Sequence, residues 1–188
     1  MKLKTLPILT ALCLTSPLWS AGTVQAEGKL TVYCSVQNTT CEKMIQAFAQ
    51  KYNVETQFVR NSTGATLAKI KAEQGNPQAD IWYGGTIEPH FQAGDLGLLE
   101  PYRSPKQAEI MPQFKTLTDK KGDLTSIGYM LVLGFGVNTE KLKQLGVSEY
   151  PKCWNDLLNP KLKGEVQLAD PQISGTTYTV IASLIQMW

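Results

Sequence analysis

The sequence predicts an α/β fold with a largely parallel sheet, and two observations carry that reading. Short β-branched and aromatic runs at 30–33, 54–60 and 79–83 alternate with segments of helical apolar spacing. Each run ends in small polar residues or glycine, the composition of a strand-to-helix turn.

Residues 1–26 stand apart from this pattern. Lys2 and Lys4 give a positive start, 6–18 is mostly apolar, and Val24-Gln25-Ala26 supplies small residues at a cleavage position. This is the make-up of a secretory signal peptide, expected to be cut after Ala26 and to deliver the protein to the periplasm. The apolar run, interrupted by Pro7 and Pro17, is too short to span a bilayer. A lipoprotein site at Cys13 fits less well, because Leu12 is bulky where such sites need a small residue.

The first strand, 30–33, enters a turn of Ser35, Gln37, Asn38 and Thr39. The helix after it places Cys41, Met44, Ile45, Phe48 and Tyr52 on one face, and Thr39 with Glu42 forms a capping-box pattern at its start. A second strand at 54–60 leads through Ser62, Thr63 and Gly64 into a helix over 65–74, with Leu67, Ala68 and Ile70 inward. The third strand, 79–83, runs into Gly84 and Gly85 and a helix near Pro89. Two glycine-bearing apolar runs, 126–130 and 131–138, read as a passage between lobes. The first α/β lobe is therefore placed at 27–128 and the start of a second at 129–188. In the latter, a strand is expected at 165–168. The turn Ser174, Gly175, Thr176, Thr177 then opens a helix carrying Tyr178, Val180, Ile181, Leu184 and Ile185.

Three cysteines follow the leader. Cys34 and Cys41 are the natural disulfide pair in an oxidising compartment, closing the first strand-to-helix turn, with a metal pair as the alternative. Cys153 is left as a buried free thiol or as half of a pair whose partner is missing. Of the 18 basic residues Lys2 and Lys4 fall in the leader, so 16 face 16 acidic ones. That balance leaves no basic stripe for a nucleic-acid backbone.

One polar turn at a helix start is ordinary capping; four of them are a constellation. Each gathers unpaired N–H groups at the positive end of a helix, and in parallel sheets such turns line the ligand crevice. Ser35, Gln37, Asn38, Thr39, Ser62, Thr63, Gly64, Gly84, Gly85, Ser174, Gly175, Thr176 and Thr177 are thus the candidate anion-binding residues.

The run Ala79-Asp80-Ile81-Trp82-Tyr83-Gly84-Gly85 adds a further layer, together with Pro-x-x-Trp-x-Asp-Leu-Leu at 151–158, Pro-x-x-Lys-Gly at 160–164, and Asp170-Pro171 through Ser174-Gly175-Thr176. With residues 30–33, these segments resemble the periplasmic solute-binding proteins of ABC importers, of the ferric-ion and sugar-phosphate (Fbp- and Afu-like) type. The resemblance implies a two-lobed, type 2 binding-protein fold that closes on its cargo and passes it to an inner-membrane ABC permease. It implies a monomer with no chemistry, cofactor or nucleic-acid partner of its own. Ferric-binding members carry a histidine or carboxylate in the first turn, where this chain has Gln37, and commonly a carboxylate where it has Gly85. Its single histidine, His90, reads as structural.

Ser174-Gly175-Thr176 is similar to the turn that holds the accompanying anion in those proteins. Neutral donors suit a phosphate, whereas ferric iron wants anionic oxygen. A phosphorylated small molecule, with hexose phosphate leading, is the expected ligand, and no metal site is assigned. Ferric iron is the alternative, through tyrosines beyond Trp188. A periplasmic hydrolase is the third reading, for which no catalytic set assembles. Trp188 interrupts an amphipathic helix, so the second lobe is expected to be incomplete.

Overall fold

The computed structural model describes residues 28–119 and 123–188. The expected signal peptide lies outside the described residues. The chain opens as a β/α alternation: β1 (Lys29–Cys34), α1 (Asn38–Tyr52), β2 (Glu55–Arg60), α2 (Thr63–Ala72), β3 (Ile81–Tyr83) and α3 (Ile87–Asp95). Then come α4 (Pro112–Asp119), α5 (Thr139–Gln144) and α6 (Gly175–Met187), with short 3-10 turns at Pro105–Glu109, Trp154–Leu158 and Pro160–Leu162. No helix among the described residues is long and apolar enough to cross a membrane.

The three strands form a parallel sheet in the order β2-β1-β3, with Val32 paired to Phe58 on one side and to Ile81 on the other. As the middle strand, β1 buries its carboxyl half, Val32, Tyr33 and Cys34. Cys34, Cys41 and Val32 make a core cluster that Leu30, Val36, Ile45, Phe58 and Tyr83 complete. A second cluster of Leu142, Val147 and Leu162, with Leu145 and Leu157 against it, organises the segment after α5.

Several expectations need correction. The capping box at Thr39 does not form. Gln37 accepts the N–H groups of Thr40 and Cys41 through its carbonyl, so the helix begins at Asn38, and Glu42 instead receives the Asn38 amide at 2.7 Å. Along α1 only Cys41 is buried, and Met44, Phe48 and Tyr52 remain well exposed. Helix α2 starts two residues early, because Ser62 takes the extended N-cap conformation. Its inward residues are Thr63, Thr66 and Leu67, while Ala68 faces out.

No strand forms at 165–168, and the runs 126–130 and 131–138 join no sheet among the described residues. An extended segment becomes a strand only when a neighbour takes its N–H and C=O groups. Val132 is accordingly 91% exposed. On α6, Val180 is buried but Tyr178 and Ile185 are exposed. Cys153 is free and exposed rather than buried.

Candidate functional site

The strand order has a consequence for where a ligand can sit. From β1 the chain leaves to one side, through α1 to β2, and then crosses through α2 to β3 on the other side. The carboxyl ends of β1 and β3 therefore flank a topological switch point, the crevice position in open parallel sheets. There Ser35 N–H donates to Tyr83 O at 2.8 Å and Asn61 N–H to Cys34 O at 3.1 Å. A disulfide joins Cys34 at the end of β1 to Cys41 in the first turn of α1, tying strand to helix across the turn.

Helices α1, α2 and α3 each start just past a strand's carboxyl end. Gln37, Ser62 and Thr86 occupy their N-cap positions, and none makes a side-chain capping hydrogen bond. Helix α6 differs: Ser174 Oγ accepts the Thr177 N–H at 3.2 Å and so caps its own helix. That end of α6 is seated on the other turns. Gly64 N–H donates to Ile173 O at 3.1 Å, and a methyl group on Gly64 would overlap Gln172 O. One on Gly175 would overlap Thr86 Oγ1 and stand 2.9 Å from Thr63 Oγ1. One on Gly85 would overlap Thr63 Oγ1, and Gly85 itself has φ +93°, a region L side chains rarely enter.

The structure thus brings Ser62, Thr63, Gly64, Gly84, Gly85, Ser174, Gly175 and Thr177 into one seam. The others sit differently. Gln37, Asn38 and Thr39 are exposed at the start of α1, and Thr176 is exposed at the start of α6. Ser35 is committed internally: its hydroxyl accepts Trp82 Nε1–H at 3.0 Å and meets Thr66 Oγ1 at 3.0 Å. Since Thr66 donates its own proton to Ser62 O at 3.0 Å, Ser35 must donate to Thr66. Ser35 therefore holds the second turn in place with both roles of its hydroxyl.

Three contributors escaped sequence reasoning. Thr66, fully buried, lies one helical turn from Ser62, a spacing that marks a shared face. Thr86 lies beside two glycines already singled out, and its Oγ1 is buried without a hydrogen-bond partner among the described residues. Tyr129 accepts the Gly85 N–H at 2.6 Å and donates to Gly85 O at 3.1 Å, clamping the glycine turn from the segment between α4 and α5. Nothing in local spacing foretells a contact 44 residues back.

His90 has the structural role expected of it. It stacks on Trp82 with centroids 3.8 Å apart, and its Nε2 lies 2.9 Å from Gly84 O. Facing a carbonyl, Nε2 must carry the proton. Burial pushes the imidazole below the ordinary histidine range, and the Gly84 contact opposes that in part. Trp82 is thus held between the His90 ring and the Ser35 hydroxyl.

The two arginines separate. Arg103 pairs with Asp123 at 2.7 Å, whereas Arg60, at the carboxyl end of β2, donates Nε–H to Val36 O at 3.2 Å beside the first turn. Among the described residues no three His, Cys, Asp or Glu side chains are grouped to hold a metal ion. A cavity of about 360 Å³ lies at the other end of β3 between Tyr33, Glu73, Asp80 and Leu98, away from the seam.

Known proteins resemble the chain in sequence and fold. Residues 76–187, more than half of the chain, match the family described as bacterial extracellular solute-binding protein. An uncharacterized protein of Haemophilus influenzae is 52% identical over 97% of this chain and 53% of its own length. A putative 2-aminoethylphosphonate-binding periplasmic protein of Salmonella typhimurium is 27% identical over 91% of this chain and 47% of its own. Among solved structures, the periplasmic binding protein P5PA superposes with a TM-score of 0.82 at 69% identity, over 86% of this chain and 51% of that one. AfuA from Actinobacillus pleuropneumoniae, with exogenous fructose-6-phosphate bound, gives 0.82 at 57% identity over 87% and 51%. The chain spans about half the length of the relatives it matches. A β/α lobe whose uncapped helix starts converge at a switch point, in a chain that matches that family over most of its second half and more, belongs to the bacterial extracellular solute-binding proteins.

Proposed function

We propose that the protein is the periplasmic substrate-binding component of an ABC importer and that its cargo is a phosphate-bearing small molecule, a hexose phosphate first among them. One observation carries the reading: three helix starts without side-chain caps, α1 to α3, open at the carboxyl edge of one parallel sheet. The positive ends of helices and the N–H groups left over at them favour an anion there, although at the second start the Gly64 N–H is already taken by Ile173 O. Arg60 adds a cation beside the first turn, and the Thr63 hydroxyl adds a donor at the second.

The ligand chemistry is supported by two relatives, AfuA with exogenous fructose-6-phosphate bound and the putative 2-aminoethylphosphonate-binding proteins, each associated with a phosphorus oxyanion. In this reading the first lobe covers 27–128, the second begins at 129, and the two close on the ligand before handing it to an inner-membrane permease. The protein acts as a monomer after its leader is removed, and it binds its cargo without altering it.

Thermal unfolding with candidate ligands tests the proposal. Glucose 6-phosphate or fructose 6-phosphate at a hundred times its dissociation constant should add about 2.7 kcal/mol to stability. Glucose should add nothing measurable at the same concentration. A shift with ferric citrate and none with either hexose phosphate would overturn the proposal in favour of iron. Release of inorganic phosphate from a bound ester would overturn the carrier role itself.

A further inference from the structure

We propose that Glu88 is the residue that reads the hydroxyl groups of the cargo, so that the site selects a phosphorylated polyol over phosphate alone; this rests on the phosphate-ligand reading above. Glu88 lies in the first turn of α3, two residues after Thr86, and is half-buried. Its side chain points across the seam to α6, where the Thr179 hydroxyl stands 3.3 and 3.4 Å from its two carboxylate oxygens. That hydroxyl has one proton, and it lies closer, at 3.0 Å, to Gly175 O. Glu88 therefore receives at most a long, shared hydrogen bond from its one neighbour.

An ionised carboxylate has about four lone-pair positions to fill. No lysine, arginine or histidine among the described residues pairs with Glu88. The positive end of α3 offsets part of its charge but does not by itself fill those positions. The carboxylate therefore has acceptor positions to offer a further donor.

The chemistry around it is otherwise one-sided. Thr63, the buried Thr86 hydroxyl and the first-turn N–H groups are donors, matched to the oxygens of a phosphate. Glu88 is an acceptor-only group in the same seam. The dianion of a phosphate ester has no proton to give it and is repelled by its charge, whereas sugar hydroxyls donate readily. The cargo is thereby oriented, phosphate toward the α2 start and Arg60, hydroxyls toward Glu88.

The test is calorimetric titration of E88Q and wild type with glucose 6-phosphate and with inorganic phosphate. Glutamine keeps the shape but replaces half of the acceptor face by a donor. Affinity for glucose 6-phosphate should fall about tenfold or more, as expected for a lost hydrogen bond to a charged group. Affinity for inorganic phosphate should hold or rise. Equal losses for both ligands, or no loss for glucose 6-phosphate, would overturn the assignment. T179V, which removes only the neighbour, should keep the wild-type preference; if it reproduces the E88Q loss, Glu88 acts as a latch to α6 and the proposal fails. Wild-type protein that binds no hexose phosphate would instead sink the function proposed above, a separate result.

Discussion

Replacing Gly85 by alanine is expected to abolish measurable hexose-phosphate binding and to cost about 2–4 kcal/mol of stability. Two effects add. At φ +93° a side chain is strained wherever it points, and here it points into the Thr63 side chain, with Cγ2 only 2.7 Å away. Relieving that overlap moves either the start of α2 or the glycine turn that Tyr129 clamps. Both belong to the proposed anion cradle. Gly97 provides the comparison, since it has φ +68° but open space where its side chain would go. G97A should show only the backbone strain, roughly 1–2 kcal/mol, with binding intact. Urea denaturation and titration of the two variants separate the terms. If G85A bound hexose phosphate as the wild type does, the glycine turn would have no place in the cradle.

The second large effect concerns the disulfide. The double variant C34A/C41A is expected to lose about 2–3 kcal/mol, the chain-entropy value for a short closed loop. It should lose somewhat more through packing, because both sulfurs are buried at the centre of the core cluster with Val32. The bridge holds the β1 end against the first turn of α1, so the start of that helix should lose its fixed position as well. A drop in the guanidinium midpoint together with weaker ligand binding is the expected pattern. An unchanged midpoint would mean that the core alone sets the turn.

Much of the first lobe was legible because its signals are local. Residues 30–33 are β-branched and aromatic, and the middle strand of a parallel sheet needs that composition. The Cys34–Cys41 bridge followed from compartment and spacing, and the structure forms it. The failures were non-local. The expected strand at 165–168 had the right residues but no partner to complete its ladder, and Val166 and Leu168 stay exposed. The capping box at Thr39 was outcompeted by Gln37, whose carbonyl starts the helix without a side-chain cap.

At the site, sequence reasoning identified the turns but not their internal roles. Ser35 and Ser174 were singled out as donors to a ligand; the structure shows one knitting Trp82 to Thr66 and the other capping α6. A hydroxyl's partner is chosen by the fold, and no spacing rule distinguishes a cap from a free donor. Tyr129 and Thr66 became visible only once β3 and α2 were set against the rest. The pattern of four polar turns was readable; the convergence of three of them on Gly175 and Thr63 was not.

The central claim is that uncapped helix starts at the switch point cradle the phosphate of an imported metabolite. A crystal structure of the purified protein with glucose 6-phosphate tests it most directly. The claim predicts phosphate oxygens within hydrogen-bond distance of the α2 and α3 starts, on Thr63 and the neighbouring backbone N–H groups. A phosphate held elsewhere, with those N–H groups turned to their own side chains, would contradict it.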